Sequence, residues 1–582
     1  MKTLWKLKPA SHLALELART ADLSLVEAQV LANRGILNRQ TLSSFLSPKL
    51  ADLCDPMTMK DMDEAVAIIL KALENREPVT IYGDFDADGF TATALLCNFF
   101  SGLGASTSHY IPDRLLEGYG LHTGALKKIA AKGPGVMITV DCGTSDQEQI
   151  ALAQTWGLKV VVTDHHQVPK DFTPSCPVVN PYRSGSDFPF KHLAGVGVAF
   201  FLAVALRAAL REKKWFERKP EPDLKDYLDL VALGTVADMV PLVDQNRILV
   251  KSGLEKIRHS RWPGIKALAE VAGLSMRTIS SSDLAYRLAP RLNASGRMGE
   301  TEMGVMALTT PQATLAGELA EKLEIMNTER RLIEQRIMEE IETTMISKMS
   351  LKNRRTILVA GKGWHRGVLG IIASRLTDRY HRPALVLNID NGTAAGSGRS
   401  IPGFNLYRAL TGLSHLLKRY GGHKHAAGLA LEASSIESLA SGLEMLAREE
   451  IRDEDLYPSI EVDAETSLSE IDLESTRRLL ALSPFGPGNP EPLLYAGPCE
   501  VVDSRVVGER HLKLKVRQNG NMLEAIGFGL AANPCARHTP VNLVFTPDIN
   551  QWQGRETPQL RVIDMEPADR NSRLVRSQHN DQ

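Results

Sequence analysis

Three aspartates occupy alternate positions in the segment Asp84-Phe85-Asp86-Ala87-Asp88, directly after the apolar run Val79–Tyr82. A strand that ends in a loop delivers its first side chains to the carboxyl edge of a parallel sheet, where ligands bind in open α/β folds. Acids gathered at such an edge repel one another unless cations neutralise them. The pattern therefore predicts a binding site for divalent metals.

An EF-hand calcium loop also begins with alternating acids, but it needs a bidentate glutamate at its twelfth position. Counted from Asp84, that position is Leu95. An EF-hand also needs a helix before the loop, whereas here the preceding residues are β-branched and aromatic and a helix-like segment follows. Strand, acidic loop and helix is the favoured interpretation, and a solvated acidic turn remains the alternative.

Further apolar runs lead into residues that can bind metals. Val136–Val140 precedes Asp141, and another run precedes the triplet Asp164-His165-His166. Asp238 closes a third apolar segment, which we predict to be a helix. A single aspartate after a strand is often a helix N-cap. Four acidic sites, one of which carries paired histidines, are better explained by elements that converge on one metal site.

These motifs, together with five others, resemble those of the DHH phosphoesterase family and, within it, the single-stranded-DNA exonucleases. In chain order the matching segments are YGDFDADG, VDCGTS, TDHH, LAGVGVAF, GTVADMVPL, PRLNASGRM, WHRGVLGI, GSGRS and GGHKHAAG. A DHH triplet alone would be weak evidence, whereas nine motifs in order are specific. The resemblance covers all but about the first fifty and the last fifteen residues.

The resemblance implies a metal centre that hydrolyses phosphodiesters. The implied ligands are Asp86, Asp88, Asp141, His165 and Asp238, with Asp141 as the bridge. Asp84 is included with them, although it stands near where other DHH enzymes use a histidine. The predicted catalytic residues are Asp141, His165 and His166. His166 is expected to contact phosphate or support a ligand, with helix capping as its alternative. Two ions can activate water and stabilise charge on the attacking and leaving oxygens, and carboxylates mixed with imidazole favour Mn²⁺ or Mg²⁺.

The distribution of charge indicates a surface that binds nucleic acid. Net charge is only −1, yet residues 351–425 hold thirteen Lys and Arg against two acids, and residues 431–475 hold fourteen acids against two arginines. The basic block coincides with glycine-rich motifs, whose backbone N–H groups can approach phosphates closely. A solvated charged face is the alternative. The candidate substrate-binding residues are Arg291, Asn293, Arg297, His365, Ser397, Arg399, Gly421, Gly422 and His423.

The predicted fold class is α/β. A DHH parallel-sheet metal domain is linked by a long helix to a smaller α/β DHHA1 domain, and an OB-like β-barrel follows; the DHHA1 and OB assignments are implied by the resemblance. Apolar residues at near-helical spacing predict the helix, and alternating segments around Asn519-Gly520 predict the barrel. The predicted segments are 1–55 for an N-terminal helical extension, 56–245 for the metal domain, 246–350 for the helical connection and long helix, 351–453 for DHHA1, 454–568 for the barrel and 569–582 for a disordered tail.

Length and composition exclude several classes of protein. A chain of 582 residues exceeds what one hydrophobic core usually holds, so several domains are expected. The longest apolar stretch, residues 193–206, is too short to cross a membrane. No apolar signal segment follows the N-terminus, so we expect a cytoplasmic protein without a membrane partner. The six cysteines are scattered and are expected to be reduced thiols.

The expected function is that of a metal-dependent exonuclease. By resemblance it hydrolyses single-stranded DNA from 5′ to 3′ to mononucleotides in DNA repair and recombination, as a monomer, with a helicase and a single-strand-binding protein as partners. One alternative is a DHH phosphodiesterase for short oligonucleotides or cyclic dinucleotides, but such enzymes are shorter and lack the barrel. The other is a replication-factor relative without activity, which the complete set of motif acids disfavours.

Overall fold

The computed structural model describes residues 3–532, 536–568 and 573–576. The chain folds into two compact units. Lys49–Ile451 form the larger unit, and Met1–Pro48 together with Arg452–Gln582 form the smaller one. No helix in the described part of the chain combines the length and the apolar character needed to cross a membrane.

The larger unit begins with a parallel sheet that carries the acidic motifs. In spatial order its strands are Thr107–Tyr110, Val79–Tyr82, Gly135–Val140, Leu158–Thr163 and Val178–Val179. After the strand Val79–Tyr82 the chain adds the next strand on one side and the following strands on the other, so the strand order changes direction between the second and third strands. Such a switch point creates the crevice where ligands bind in these folds. The motif that holds Asp84 follows one strand at this crevice, and Asp141 follows the other.

Helices cover both faces of this sheet, which is why its central strands are continuous apolar runs. They are Met62–Glu74, Ala87–Gly102, Thr123–Ala130, Gln147–Thr155 and Gly195–Glu212. Leu228–Ala237 packs against Ala87–Gly102 and Gly195–Glu212, and Asp244–Ile257 packs against Leu228–Ala237. As predicted, an apolar helix ends directly before Asp238. The helix Gly195–Glu212 is almost entirely buried over its first three turns, so its N-terminus points into the interior near the acidic motifs.

A helical connection leads out of the metal domain. Its helices are Pro263–Val271, Ala289–Met298, Thr301–Thr309 and the long helix Ala313–Glu340, which we call the bridging helix. The bridging helix ends earlier than the predicted residue 350, and a wider π turn follows over Ile341–Met345. In that turn the hydroxyls of Thr343 and Thr344 donate to the carbonyls of Glu339 and Glu340, at 2.7 and 2.6 Å. Such back-bonding by threonine competes with the helical ladder and bends it.

A second, mixed sheet forms the last part of the larger unit. In spatial order its strands are Leu417–Gly422, Ala426–Glu432, Thr393–Arg399, Ala384–Asp390 and Ile357–Lys362, and the helices Leu369–Tyr380, Leu406–Gly412 and Ile436–Glu450 accompany them. The GSGRS motif was expected to offer free backbone N–H groups to phosphates, and this is wrong. Its first four residues lie in Thr393–Arg399, which pairs with a strand on each side, so the sheet ladder uses those groups.

The smaller unit contains the β-barrel. Its strands are Leu494–Val507, His511–Gln518, Asn521–Gly527, Pro540–Trp552 and Arg555–Pro567, and the first pairs with the fourth to close the barrel. Asn519 and Gly520 form the predicted hairpin turn, both with positive φ. Leu512, Leu514 and Val516 are buried, as the alternation predicts. The helices of this unit are His12–Ala21, Leu25–Ala32, Arg39–Leu46 and Leu473–Leu480.

The N-terminal residues belong to the same compact unit as the barrel, which differs from the predicted separate extension 1–55. The strand Leu4–Leu7 lies between Ser459–Val462 and Leu574–Arg576 in a three-stranded parallel sheet. Trp5 is fully buried there, and its Nε1 donates to Asp564 at 3.0 Å. Within the predicted disordered tail 569–582, residues 574–576 are therefore a strand, stabilised by parallel pairing; 569–572 and 577–582 lie outside the described residues.

Candidate metal centre and substrate cavity

Six predicted metal ligands converge at the crevice of the parallel sheet. Together with His166 they form three groups, and within each group the ligand atoms lie within 4.8 Å of one another. The groups are Asp84, Asp86 and Asp141; Asp88, His165 and Asp238; and Asp141, His165 and His166. Asp141 and His165 each belong to two groups. His165 Nε2 lies 3.0 Å from Asp141 Oδ1, 3.6 Å from Asp238 Oδ2 and 4.0 Å from Asp88 Oδ2. The sequence motifs therefore form one cluster in space.

The acidic loop is held by the start of the helix Ala87–Gly102. Asp86 is the N-cap, and its Oδ1 accepts hydrogen bonds from the N–H groups of Asp88 and Gly89, at 3.0 and 3.1 Å. The remaining first-turn donor, Ala87 N–H, is taken by Asn293 Oδ1 at 2.8 Å. Helix N-termini leave such donors without intrahelical partners, so these bonds fix the backbone that carries two candidate ligands.

Asp88 is held by the N-terminus of the buried helix Gly195–Glu212. The backbone N–H groups of Gly195 and Val196 donate to its two carboxylate oxygens, at 2.6 and 2.9 Å. This contact favours the ionised carboxylate. Burial nevertheless outweighs it and raises the pKa of Asp88 to about 6. The side chain is thus oriented by the protein but not neutralised by it.

Asp141 occupies a crowded and unusual position. Its φ of 62° lies in the left-handed region, which a non-glycine residue rarely adopts. A Cβ placed on Gly195 would lie 2.7 Å from Asp141 Cβ and 2.9 Å from its Oδ1. Glycine at 195 is therefore required so that the helix can approach this carboxylate.

The second histidine of the triplet is oriented by two neighbours. His166 Nδ1 lies 2.8 Å from Asp164 Oδ1 and 3.0 Å from the hydroxyl of Tyr119, and the Tyr119 hydroxyl donates to the Asp141 carbonyl at 3.2 Å. Burial disfavours the imidazolium, but the hydrogen bond and charge of Asp164 outweigh it and raise the pKa of His166 to about 9. Asp164 also accepts from Thr144 N–H at 3.0 Å, so it supports the loop and the histidine without joining the acid groups.

The cluster holds more negative charge than the protein neutralises. Burial, followed by repulsion between the acids, raises the pKa of Asp84 and Asp141, and it raises the pKa of Asp238 to about 7. Asp84 Oδ1 is buried and has no hydrogen-bond partner among the described residues. Asp141 Oδ1 and His165 Nε2 are also buried, and although they lie 3.0 Å apart, neither makes a hydrogen bond within the described structure. Buried polar atoms normally have partners. Carboxylate oxygens and an imidazole nitrogen that lack hydrogen-bond partners and lie in one cluster fit divalent cations of the Mn²⁺ and Mg²⁺ class.

A basic cavity of about 370 Å³ lies in the same unit. It is lined by Arg114, Leu115, Arg366, Gly367, Leu369, Ala395, Gly396, Ser397, Arg419, Tyr420, Gly421, Gly428 and Leu429. The first two residues come from the loop that follows a strand of the metal domain, and the others come from the second sheet and its flanking segments. The described lining contains three arginines and no carboxylate. Such a cavity fits a phosphate group.

The structure places some predicted substrate residues at this cavity. Ser397 and Gly421 line it, and Arg399 is the last residue of the strand that contributes Ser397. Gly422 and His423 are exposed at the end of the neighbouring hairpin. His365 Nδ1 accepts from Gly367 N–H at 3.2 Å, and burial lowers the pKa of His365.

The three residues of the PRLNASGRM motif contact the protein itself. Arg291 pairs with Glu324 of the bridging helix at 2.5 Å, Asn293 accepts from Ala87, and Arg297 donates to the carbonyl of Gly367 at 3.2 Å. These contacts differ from the predicted reach towards a substrate phosphate. The helix Ala289–Met298 is packed between neighbouring elements, so its polar side chains are used to fix them.

Sequence reasoning missed several residues of the site. Arg114 and Tyr119 belong to a loop that follows the strand Thr107–Tyr110, and that position at the carboxyl edge of the sheet was the available signal. Arg419 lies in an ordinary hairpin strand and carries no local signal. Arg366 is part of the WHRGVLGI motif but was not singled out within it.

Three family models match the chain in order. They are the DHH family N-terminal domain over residues 78–235, the DHHA1 domain over residues 353–449 and the RecJ OB domain over residues 462–564. The RecJ single-stranded-DNA-specific exonuclease of Escherichia coli (strain K12) is 37% identical over 566 residues, which cover 94% of this chain and 96% of that protein. The chain belongs to the RecJ family.

Other RecJ proteins match over similar lengths. The RecJ exonuclease of Bacillus subtilis (strain 168) is 36% identical over 97% of this chain and 71% of its own length. The crystal structure of RecJ from Thermus thermophilus in complex with Mn²⁺ has a TM-score of 0.83 and 28% identity, and covers 97% of this chain and 80% of that one. The same protein in complex with Mg²⁺ has a TM-score of 0.77. RecJ structures therefore hold divalent metals, and the predicted combination of DHH, DHHA1 and OB domains is confirmed.

Proposed function

We propose that this RecJ family member is a metal-dependent exonuclease that hydrolyses single-stranded DNA from the 5′ end to mononucleotides, in DNA repair and recombination. The observation that carries the proposal is the pairing, within one compact unit, of an under-neutralised acid cluster with a basic cavity. The named activity of the similar proteins supports the reaction. The 5′ polarity is carried from the motif resemblance.

We propose that the cluster holds two ions. One group of donors is Asp84, Asp86 and Asp141, and another is Asp88, His165 and Asp238. Asp141 is the proposed bridge between the two ions. It belongs to the first group, and its Oδ1 lies 3.0 Å from His165 Nε2, which belongs to the second group. Divalent cations bound here would supply activation of water and charge neutralisation at a phosphodiester.

The neighbouring side chains have separate tasks. Asp164 holds His166 Nδ1 through its Oδ1. The other ring nitrogen of His166 has no partner within the described part of the chain, so it can donate to a phosphate oxygen. The Tyr119 hydroxyl contacts the same nitrogen of His166, Nδ1, and donates to the Asp141 carbonyl, so it links the histidine to the backbone of Asp141. The guanidinium of Arg114 lies 4.8 Å from the ring of Phe85, in the acidic loop itself. Arg114 thereby joins the basic cavity to the metal centre.

The cavity is proposed to bind the phosphates of one DNA strand. Arg419 contributes charge from the second sheet, Arg366 contributes charge from a turn that flanks it, and Ser397 contributes a hydroxyl. These contacts go to the backbone and carry no base information. We also propose action in the cytoplasm as a monomer, with a helicase and a single-strand-binding protein as partners; these proposals come from the motif resemblance and the DNA substrate.

A panel of substrates tests the proposal. Purified protein with Mn²⁺ should degrade a labelled single strand to mononucleotides, leave the matching duplex intact and leave a cyclic dinucleotide intact. A label on the 5′ end should appear in mononucleotide before a label on the 3′ end does. Preferred cleavage of the cyclic dinucleotide, or equal cleavage of the duplex, would contradict the proposal.

A further inference from the structure

The amide of Asn293 makes a long-range contact with the acidic loop. Its Oδ1 accepts the N–H of Ala87, 206 positions earlier in the chain, at 2.8 Å. Ala87 lies between Asp86 and Asp88, and it is the first residue of its helix. Asp86 already satisfies the next two backbone donors. Asn293 therefore completes the set of bonds that fixes the start of this helix.

The element that carries Asn293 lies directly against the loop backbone. A Cβ on Gly296, one turn after Asn293, would collide with the carbonyl oxygen of Phe85. The glycine thus allows the close approach that brings Asn293 within hydrogen-bond distance of Ala87. Because helical residues three apart share one face, Asn293 and Gly296 contact the same segment.

The helix Ala289–Met298 is also fixed at both ends. Arg291 pairs with Glu324 on the bridging helix, and Arg297 donates to the carbonyl of Gly367, a residue that lines the basic cavity. Asn293 is thus a hydrogen-bond acceptor on a helix that contacts at both of its ends hold in place. Through the contact with Ala87, this helix determines the position of the acidic loop.

We propose that Asn293 is a positioning residue for the metal centre: it holds the loop that presents Asp86 and Asp88 to the cations and does not contact DNA. The inference rests on the proposed metal site. It replaces the expectation that Asn293 binds a substrate phosphate. Its consequence is that metal affinity, measured without DNA, depends on a side chain outside the ligand set.

The test compares Mn²⁺ binding to the original protein and two variants by electron paramagnetic resonance, in the absence of DNA. Asn293→Ala removes the acceptor, and we expect about a tenfold loss of Mn²⁺ affinity, the size of change that one buried hydrogen bond produces. Asn293→Asp keeps an acceptor oxygen and should stay within about threefold of the original protein. Kinetics should show kcat of the alanine variant recovering at excess Mn²⁺, with KM for a long single strand unchanged.

The matched control is Asn98→Ala. Asn98 is also half-buried, lies on the same helix as Ala87, and donates to the carbonyl of Leu308, 210 positions away, at 3.5 Å. It has no link to the loop in the described structure, so its loss should lower thermal stability but leave Mn²⁺ affinity unchanged.

Other outcomes separate the ways in which the inference could fail. Unchanged Mn²⁺ affinity in a folded Asn293→Ala protein would overturn the inference. If the alanine variant does not fold, the aspartate variant decides: it loses the amide donor, so a raised KM with normal Mn²⁺ affinity would show that Asn293 contacts DNA. A tenfold weaker affinity in the aspartate variant would also overturn the inference, since an added carboxylate should not repel the metal. If the original protein bound no Mn²⁺, the proposed metal site itself would fail.

Discussion

Mn²⁺ binding should strengthen steeply as the pH rises. Burial and neighbouring acids raise the pKa of Asp238 to about 7 and that of Asp88 to about 6, so both carboxylates hold protons at mildly acid pH in the metal-free protein. A metal must displace these protons before it binds. Between about pH 5.5 and about pH 8, deprotonation accounts for a factor of about 30 at Asp238 and about 4 at Asp88, or about 100 for these two groups. Burial also raises the pKa of Asp84 and Asp141, so their deprotonation adds to this change.

The free energy of unfolding should depend on the protonation of the same two carboxylates, Asp238 and Asp88. Both pKa values lie above the value of about 3.9 expected in the unfolded chain. The stabilisation contributed by these two groups is therefore fully present below about pH 4 and is lost as the pH rises through 6 and 7. Mn²⁺ offsets that loss, so the metal-induced rise in Tm should be larger at high pH than at low pH.

Titration of Mn²⁺ by electron paramagnetic resonance across this pH range measures the effect. Asp238→Asn removes the group that titrates near 7, so the pH-dependent change in affinity should become about 30-fold smaller, although the affinity itself weakens. Affinity that stays constant across the range for the original protein would refute the reasoning. It would mean that the acids are already ionised without metal, and hence neutralised by some other group.

Two further predictions follow from particular contacts. Gly195→Ala should lower activity by about two orders of magnitude, because its methyl group would displace Asp141. The control is Gly197→Ala on the same helix, which should be tolerated because the nearest atom to the added Cβ lies at 3.5 Å. Equal activity of the two variants would contradict the packing argument. Arg419→Ala should weaken single-strand binding and reduce the log-log salt slope by about 0.7, the value for one phosphate contact. Arg408→Ala, whose side chain pairs with Glu450, is the control, and an unchanged slope for Arg419→Ala would show that this arginine is only solvated.

The convergence of the candidate ligands was predictable because the relevant rules are local. Asp84, Asp141 and His165 each follow or lie near the end of a strand, and parallel strands bring their carboxyl ends to one edge. The structure accordingly places Asp141 Oδ1 only 3.0 Å from His165 Nε2. The Asn519-Gly520 turn was predictable for a similar reason, since asparagine and glycine are the residues that most readily accommodate the required positive φ.

Contacts between distant segments were not predictable in this way. Asn293 was expected at the substrate because polar residues in a motif suggest contact with a ligand, but the direction of a side chain depends on how its helix packs. Arg419 carries no local pattern, and it becomes part of a site only when the second sheet lies opposite Arg114. The strand Leu4–Leu7 pairs with residues more than four hundred positions away, and such parallel pairing is specified by tertiary packing.

The acid cluster is proposed to hydrolyse single-stranded DNA with bound divalent metal. The most direct test of this proposal is the turnover of a 5′-phosphorylated single strand by Asp141→Ala in saturating Mn²⁺, with DNA binding measured in parallel. We expect a loss of at least about two orders of magnitude in kcat. The affinity for the strand should stay near normal, because the basic cavity does not include Asp141. Metal-dependent hydrolysis at a near-normal rate in this variant would contradict the proposal.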